Sequence, residues 1–112
     1  MKLVTAVVKP DTLDEVIRAV PSAGARGMTV SEVRGFGQQF GHHEMDRPAD
    51  AGVLILPKLR IEVLTSDELA APLAEAIATA VNTGAIGDGK IWISPVEAAI
   101  RVRTGERDLD TI

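Results

Sequence analysis

The chain contains no cysteine and no tyrosine, and its aromatics are two phenylalanines and one tryptophan. Without cysteine there are no disulfide staples, thiolate metal sites or thiol nucleophiles. With aromatics at 3%, the core has to be built from Val, Ile, Leu and Ala. No apolar run approaches the roughly 18 residues of a membrane span, and the start, Met1-Lys2-Leu3-Val4-Thr5, has no secretory h-region. No direct membrane insertion and a cytoplasmic setting are the expectation. A net charge of −4 speaks against nucleic-acid binding, which needs a basic face.

What is present fits one domain. The 112 residues are 46% hydrophobic and 25% charged, ordinary for a globular chain. A chain this short buries a modest core, so oligomerisation would help it. Leu3 to Val8 reads as a buried strand stopped by Pro10. Thr12-Leu13-Asp14-Glu15 has the capping-box pattern, and Leu13, Val16, Ile17 and Val20 follow at helical spacing. A helix is predicted over 11–20, ended by Pro21 and Gly24. Met28 to Phe36 is strand-like. Leu59, Ile61 and Val63 alternate with Lys58, Arg60 and Glu62 as a strand with one buried face. Leu69, Leu73, Ala76, Ile77, Ala80 and Val81 mark a second helix, in which Pro72 fits only a first turn or a bend. Lys90 to Ser94 is a fourth strand, and the alternation at Ala99 to Arg103 predicts a short extra one. The order βαββαβ predicts an α+β, ferredoxin-like sandwich. Its helices cover one sheet face, and a symmetric oligomer is one way to cover the other.

Between Gly37 and about Ile55 no period is sustained. Loops of that length in small domains are more often functional or disordered than mere connections. His42-His43-Glu44 lies within it, but adjacent histidines on extended chain point to opposite faces and make a poor chelate.

Two stretches carry chemistry. In Thr83-Gly84-Ala85-Ile86-Gly87-Asp88-Gly89-Lys90, glycines allow backbone N–H groups to converge on an anion, and the lysine adds a point charge. A helix C-cap followed by a tight turn accounts for the same residues, and the spacing is not that of a Walker A loop. In Arg101-Val102-Arg103, two guanidiniums on one strand face suit a di- or triphosphate; a solvated strand face is the alternative. Together the two stretches favour a phosphate site. No Ser-His-Asp, paired-carboxylate or HExxH arrangement supports an enzyme.

At this point the sequence resembles the PII signal-transduction proteins along nearly its whole length. The matching stretches are Met1 through Pro10, Gly27 through Val33, Gly35-Phe36-Gly37, Gln39, Gly41-His42, Leu56-Pro57-Lys58, Thr83-Gly84, Ile86 through Ile91, Ser94 through Glu97, and Ile100 through Glu106. The resemblance implies one PII-type domain over 1–112 and a homotrimer with nucleotide sites between subunits. It implies a partner-docking T-loop at 37–55, a phosphate loop at 82–90, and a C-terminal strand and tail at 97–112. It further implies that Gly37, position 38, Gly87, Asp88, Gly89 and Lys90 surround ATP or ADP. Arg101 and Arg103 of a neighbouring subunit would join them, and Thr29 would meet the adenine. Gln39 would ligate Mg²⁺ shared by ATP and 2-oxoglutarate. Lys58 would pair with a 2-oxoglutarate carboxylate, and the backbone near Gly41 and Gly87 would complete that site. The implied partner is an ammonium transporter or a nitrogen-assimilation enzyme. The chain departs from the family at Gln38, commonly arginine, at Ala51, often the modified tyrosine, and at Ala49, a serine in some relatives.

Overall fold

β1 (Lys2–Val8) is the strand around which the structure, a computed structural model describing residues 1–37 and 55–112, is built. It lies between β3 (Leu56–Thr65) and β4 (Gly89–Pro95), and β2 (Thr29–Gly35) closes the far edge, giving the order β2-β3-β1-β4. Every neighbouring pair is antiparallel. With α1 (Leu13–Ser22) after β1 and α2 (Asp67–Val81) after β3, this is the ferredoxin-like α+β arrangement expected.

Register explains the core. Val4, Ala6 and Val8 stand opposite Val63, Ile61 and Leu59, and all six are buried. Opposed residues share a face, and this face receives Val16 and Val20 of α1 and Ala70, Leu73, Ile77 and Val81 of α2. The α2 spacing of three and four residues puts its apolar side chains on one stripe. Ser66 accepts a hydrogen bond from the Leu69 N–H at 3.2 Å and caps the helix. Asp67 in the first turn takes the Met1 α-ammonium at 2.9 Å. That contact, with Lys2 beside it, holds the Asp67 carboxyl below its ordinary pKa.

Two local expectations are corrected, and of the two alternatives for Pro72 the first turn is excluded. Thr12 forms no capping box: its buried hydroxyl donates to the Lys9 carbonyl at 2.7 Å inside a 3-10 turn, Pro10–Thr12, that leads into α1. Pro72 lies inside α2 rather than in its first turn; both it and Glu68, whose carbonyl loses its i+4 donor, are exposed, so water can serve that carbonyl. Ala99 to Arg103 is not a strand. One isolated bridge, Ile100 to Arg107, closes a turn, and a 3-10 helix, Asp108–Thr111, follows. Pro21 is also accommodated in the last turn of α1, and the helix stops before Gly24 at φ +108°.

No helix among the described residues covers the opposite sheet face. Register places Leu3, Thr5 and Val7 there, opposite Leu64, Glu62 and Arg60 on one side and Ser94, Trp92 and Lys90 on the other. Trp92 is 41% exposed. No helix among the described residues is long and apolar enough to cross a membrane.

Candidate functional site: a glycine-lined cleft beside β1

The loop between α2 and β4 is organised by one carboxylate. Asp88 accepts hydrogen bonds from the Thr83 N–H at 2.7 Å and the Gly84 N–H at 2.9 Å. It also accepts from the Thr83 hydroxyl and from the Lys9 ammonium, the latter at 3.2 Å. These donors, the Thr83 hydroxyl foremost, hold the Asp88 carboxyl far below the usual carboxylate range. The side chain of Asn82 ties down the Gly84 N–H as well, at 2.8 Å.

Glycine is required where this loop meets the sheet. Gly87 has φ +100° and Gly89 φ +119°, conformations that L side chains rarely adopt. A Cβ on Gly89 would run into the Val7 carbonyl oxygen. The loop therefore passes against β1 with its backbone, not with side chains.

In front of it opens a cleft of about 470 Å³, walled by Gly35, Phe36, Gly37, Lys58, Val7 and the stretch from Ala85 to Lys90. Lys58 and Lys90 supply cations. Burial, and secondarily the charge of Lys9, lowers the Lys58 pKa from its usual value, so an anion placed here would relieve a cost the folded protein already carries. Val7, Phe36 and Ile86 give the same cleft apolar walls. On the other side of the loop a groove of about 570 Å³ runs along α2, with Glu75, Thr79 and Asn82 in its wall and Lys90 as its one cation. It is the poorer anion site.

The cleft brings together Gly37, Lys58, Gly87, Asp88, Gly89 and Lys90, six of the residues singled out in the sequence. Asp88 is there as the fastener of the loop, its carboxylate already engaged. Gln38, Gln39 and Gly41 lie outside the described residues. Thr29 does not line the cleft: it starts β2, opposite Glu62, while the cleft takes the other end of that strand at Gly35. Arg101 and Arg103 are absent from the cleft of their own chain and are not paired on a strand face. Val7, Lys9, Phe36, Thr83 and Ile86 were not distinguished in the sequence. Val7 reads there as core, and nothing local links Lys9 to Asp88. Among the described residues no group of three His, Asp or Glu is placed to hold a metal.

The sequence model of the family described as Nitrogen regulatory protein P-II matches residues 1–106. The chain is 51% identical over 112 residues to the Nitrogen regulatory protein P-II of Cereibacter sphaeroides, and equally so to that of Rhizobium meliloti. It is 49% identical to that of Haemophilus influenzae. In all three the match covers the whole of both chains. The glycine-lined cleft, the ferredoxin-like sheet and these full-length matches lead to one assignment: the chain belongs to the nitrogen regulatory protein P-II family, whose members are regulators rather than enzymes.

Proposed function

We propose that the protein is a non-enzymatic sensor of ATP or ADP and of 2-oxoglutarate that controls nitrogen assimilation or ammonium transport. The observation that carries this reading is the cleft itself. Its size falls within the range of small-molecule sites, Gly87 and Gly89, both at positive φ, put backbone in its wall, and Lys58 and Lys90 face the same space. Phosphate oxygens would lie against the loop and Lys90. The base would lie against the apolar wall.

A homotrimer completes the proposal. It would cover the bare sheet face around Trp92, and it would bring Thr29, Arg101 and Arg103 of a neighbour to a cleft that lacks them. Gln39 would hold Mg²⁺ together with the ATP phosphates, and Lys58 would pair with a 2-oxoglutarate carboxylate, with backbone at Gly41 and Gly87 alongside. Residues 37–55 would form the loop that docks on an ammonium transporter or an assimilation enzyme. Ligands can select a loop state only through different affinities for those states. With no tyrosine in the chain, control by tyrosine modification is excluded.

A second reading keeps nucleotide sensing and changes the client. It is favoured by Gln38, which lacks the charge commonly found at that position, and by Ala49 and Ala51 in the loop.

Calorimetric titration of 2-oxoglutarate with Mg²⁺-ATP, and again with ADP, separates the readings. Binding with ATP alone supports the carbon and nitrogen sensor. Nucleotide binding without 2-oxoglutarate binding supports the second reading. Failure to bind either nucleotide at millimolar concentration overturns both.

A further inference from the structure

Arg101 and Arg103 are two positions apart, yet their surroundings differ. The Arg101 Nε and Glu106 Oε1 form an ion pair at 3.1 Å. Its Nη2 reaches the Thr111 carbonyl at 3.1 Å and, more weakly, the Asp110 carbonyl at 3.5 Å. Glu106 is itself held, because the Thr104 hydroxyl donates to the same Oε1 at 2.7 Å. The backbone closes the arrangement: the Arg101 N–H donates to the Glu106 carbonyl, and the Gly105 N–H to the Arg101 carbonyl, both at 2.8 Å. Gly105 at φ +75° makes the turn possible. Arg103 is exposed and has no hydrogen bond or ion pair with any described residue.

Two of the three guanidinium nitrogens of Arg101 are thus occupied. Nη1, with its two N–H groups, has no partner among the described residues. The ion pair is half-exposed, 40% on the arginine side and 48% on the glutamate side, and pairs this exposed contribute little to stability. Its consequence falls on where the arginine points. A free arginine has many rotamers to lose when it binds an anion, and fixing it beforehand removes that cost.

We infer that Glu106, seated by Thr104, is a positioning residue that clamps Arg101 against the carbonyl of Thr111 and presents Nη1 for a nucleotide phosphate. The inference rests on the reading that Arg101 binds the nucleotide bound by a neighbouring subunit. It assigns the two arginines different tasks: Arg101 is set in advance, and Arg103 closes after contact.

The test is calorimetric titration of ATP into the full chain and its variants. Glu106→Ala should weaken ATP binding about 3- to 10-fold, the range of one immobilised rotamer-rich side chain. Glu106→Gln keeps an oxygen acceptor for Thr104 and removes the charge that pairs with Arg101, and should weaken binding less than alanine does. Thr104→Val should weaken binding in the same direction by less. In an Arg101→Ala background, Glu106→Ala should have no further effect. Unchanged or tighter binding in Glu106→Ala overturns the inference, tighter binding making Glu106 a competitor of the phosphate. An undiminished Glu106→Ala effect without Arg101 also overturns it, as does a Glu106→Gln loss as large as that of alanine. If Glu106→Ala does not fold, Thr104→Val and Glu106→Gln decide alone. A wild-type chain that binds no nucleotide refutes the proposed function itself, an outcome distinct from all of these.

Discussion

Lys9 and Asp88, 79 positions apart, meet at 3.2 Å and join the end of β1 to the loop before β4. The same carboxylate holds Thr83 and Gly84, so one side chain sets both the shape of the loop and its distance from the sheet. Asp88→Asn should loosen the loop, weaken nucleotide binding and lower the melting point by a few degrees at pH 7. The pH dependence follows from the depressed folded pKa of Asp88. Its stabilisation is complete above the unfolded value of about 4 and is lost as pH falls through the lower folded value. Melting points of the two proteins should differ by a constant amount between about pH 7 and pH 5 and converge below about pH 4. A gap that stays constant into strong acid would show that the carboxylate charge is not what holds the loop.

Gly89 and Gly84 share a positive φ but not an environment. A Cβ at Gly89 collides with the backbone of Val7 and Val8, whereas a Cβ at Gly84 has nothing within 4 Å. Gly84→Ala should therefore cost only the backbone strain, about 1–2 kcal/mol. Gly89→Ala adds a clash with fixed backbone and should cost more than about 3 kcal/mol, opening the β1–β4 register near Val8. Urea denaturation gives both numbers. Equal effects would mean that the loop moves away from β1 at little cost.

These two positions also show what the sequence could and could not disclose. The alternation of Leu59, Ile61 and Val63 and the helical spacing of Leu73, Ile77 and Val81 reflect local geometry, so strands, helices and most of the core were legible. Gly87, Gly89 and Lys90 stood out because an anion site needs those residue types close together. The work of Asp88 was not legible, because its partner Lys9 is brought to it only by the β1–β4 pairing. Arg101 and Arg103 misled for a related reason. Their alternation implied a strand, but Gly105 and the Arg101–Glu106 contact turn the chain back on itself. The proposed covering of the Trp92 face would be a property of an assembly, and alternation along one chain discloses only that the face exists.

Trp92 provides the test of that assembly. It is 41% exposed on a sheet face that no helix among the described residues covers, opposite Thr5, which in turn faces Glu62. Aromatics are enriched at interfaces, which fits a partner on this face. The wild-type chain should sediment as a trimer. Trp92→Glu places a charge on the face, across Thr5 from Glu62, and should shift the chain to monomer, with nucleotide binding lost in parallel because the neighbour's arginines leave. A monomeric wild type would remove the proposed source of Arg101 and Arg103, and a trimeric Trp92→Glu would move the interface elsewhere.

Lys58 gives a signature that needs no structural change to detect. Burial first, and the nearby Lys9 charge second, lowers its pKa. In the free protein the cost of keeping Lys58 charged is relieved as pH rises through the lowered folded value toward the unfolded value of about 10.4, so its contribution to stability improves over that window. An anion beside the ammonium reverses the shift and draws a proton onto the side chain. Titration of 2-oxoglutarate in the presence of Mg²⁺-ATP, in two buffers of different ionisation enthalpy and at rising pH toward the unfolded value, should report proton uptake that grows with pH. Lys58→Arg, charged at every accessible pH, should bind without uptake. If wild-type and Lys58→Arg chains take up the same number of protons on binding 2-oxoglutarate across the whole pH series, Lys58 is not the group that meets its carboxylate.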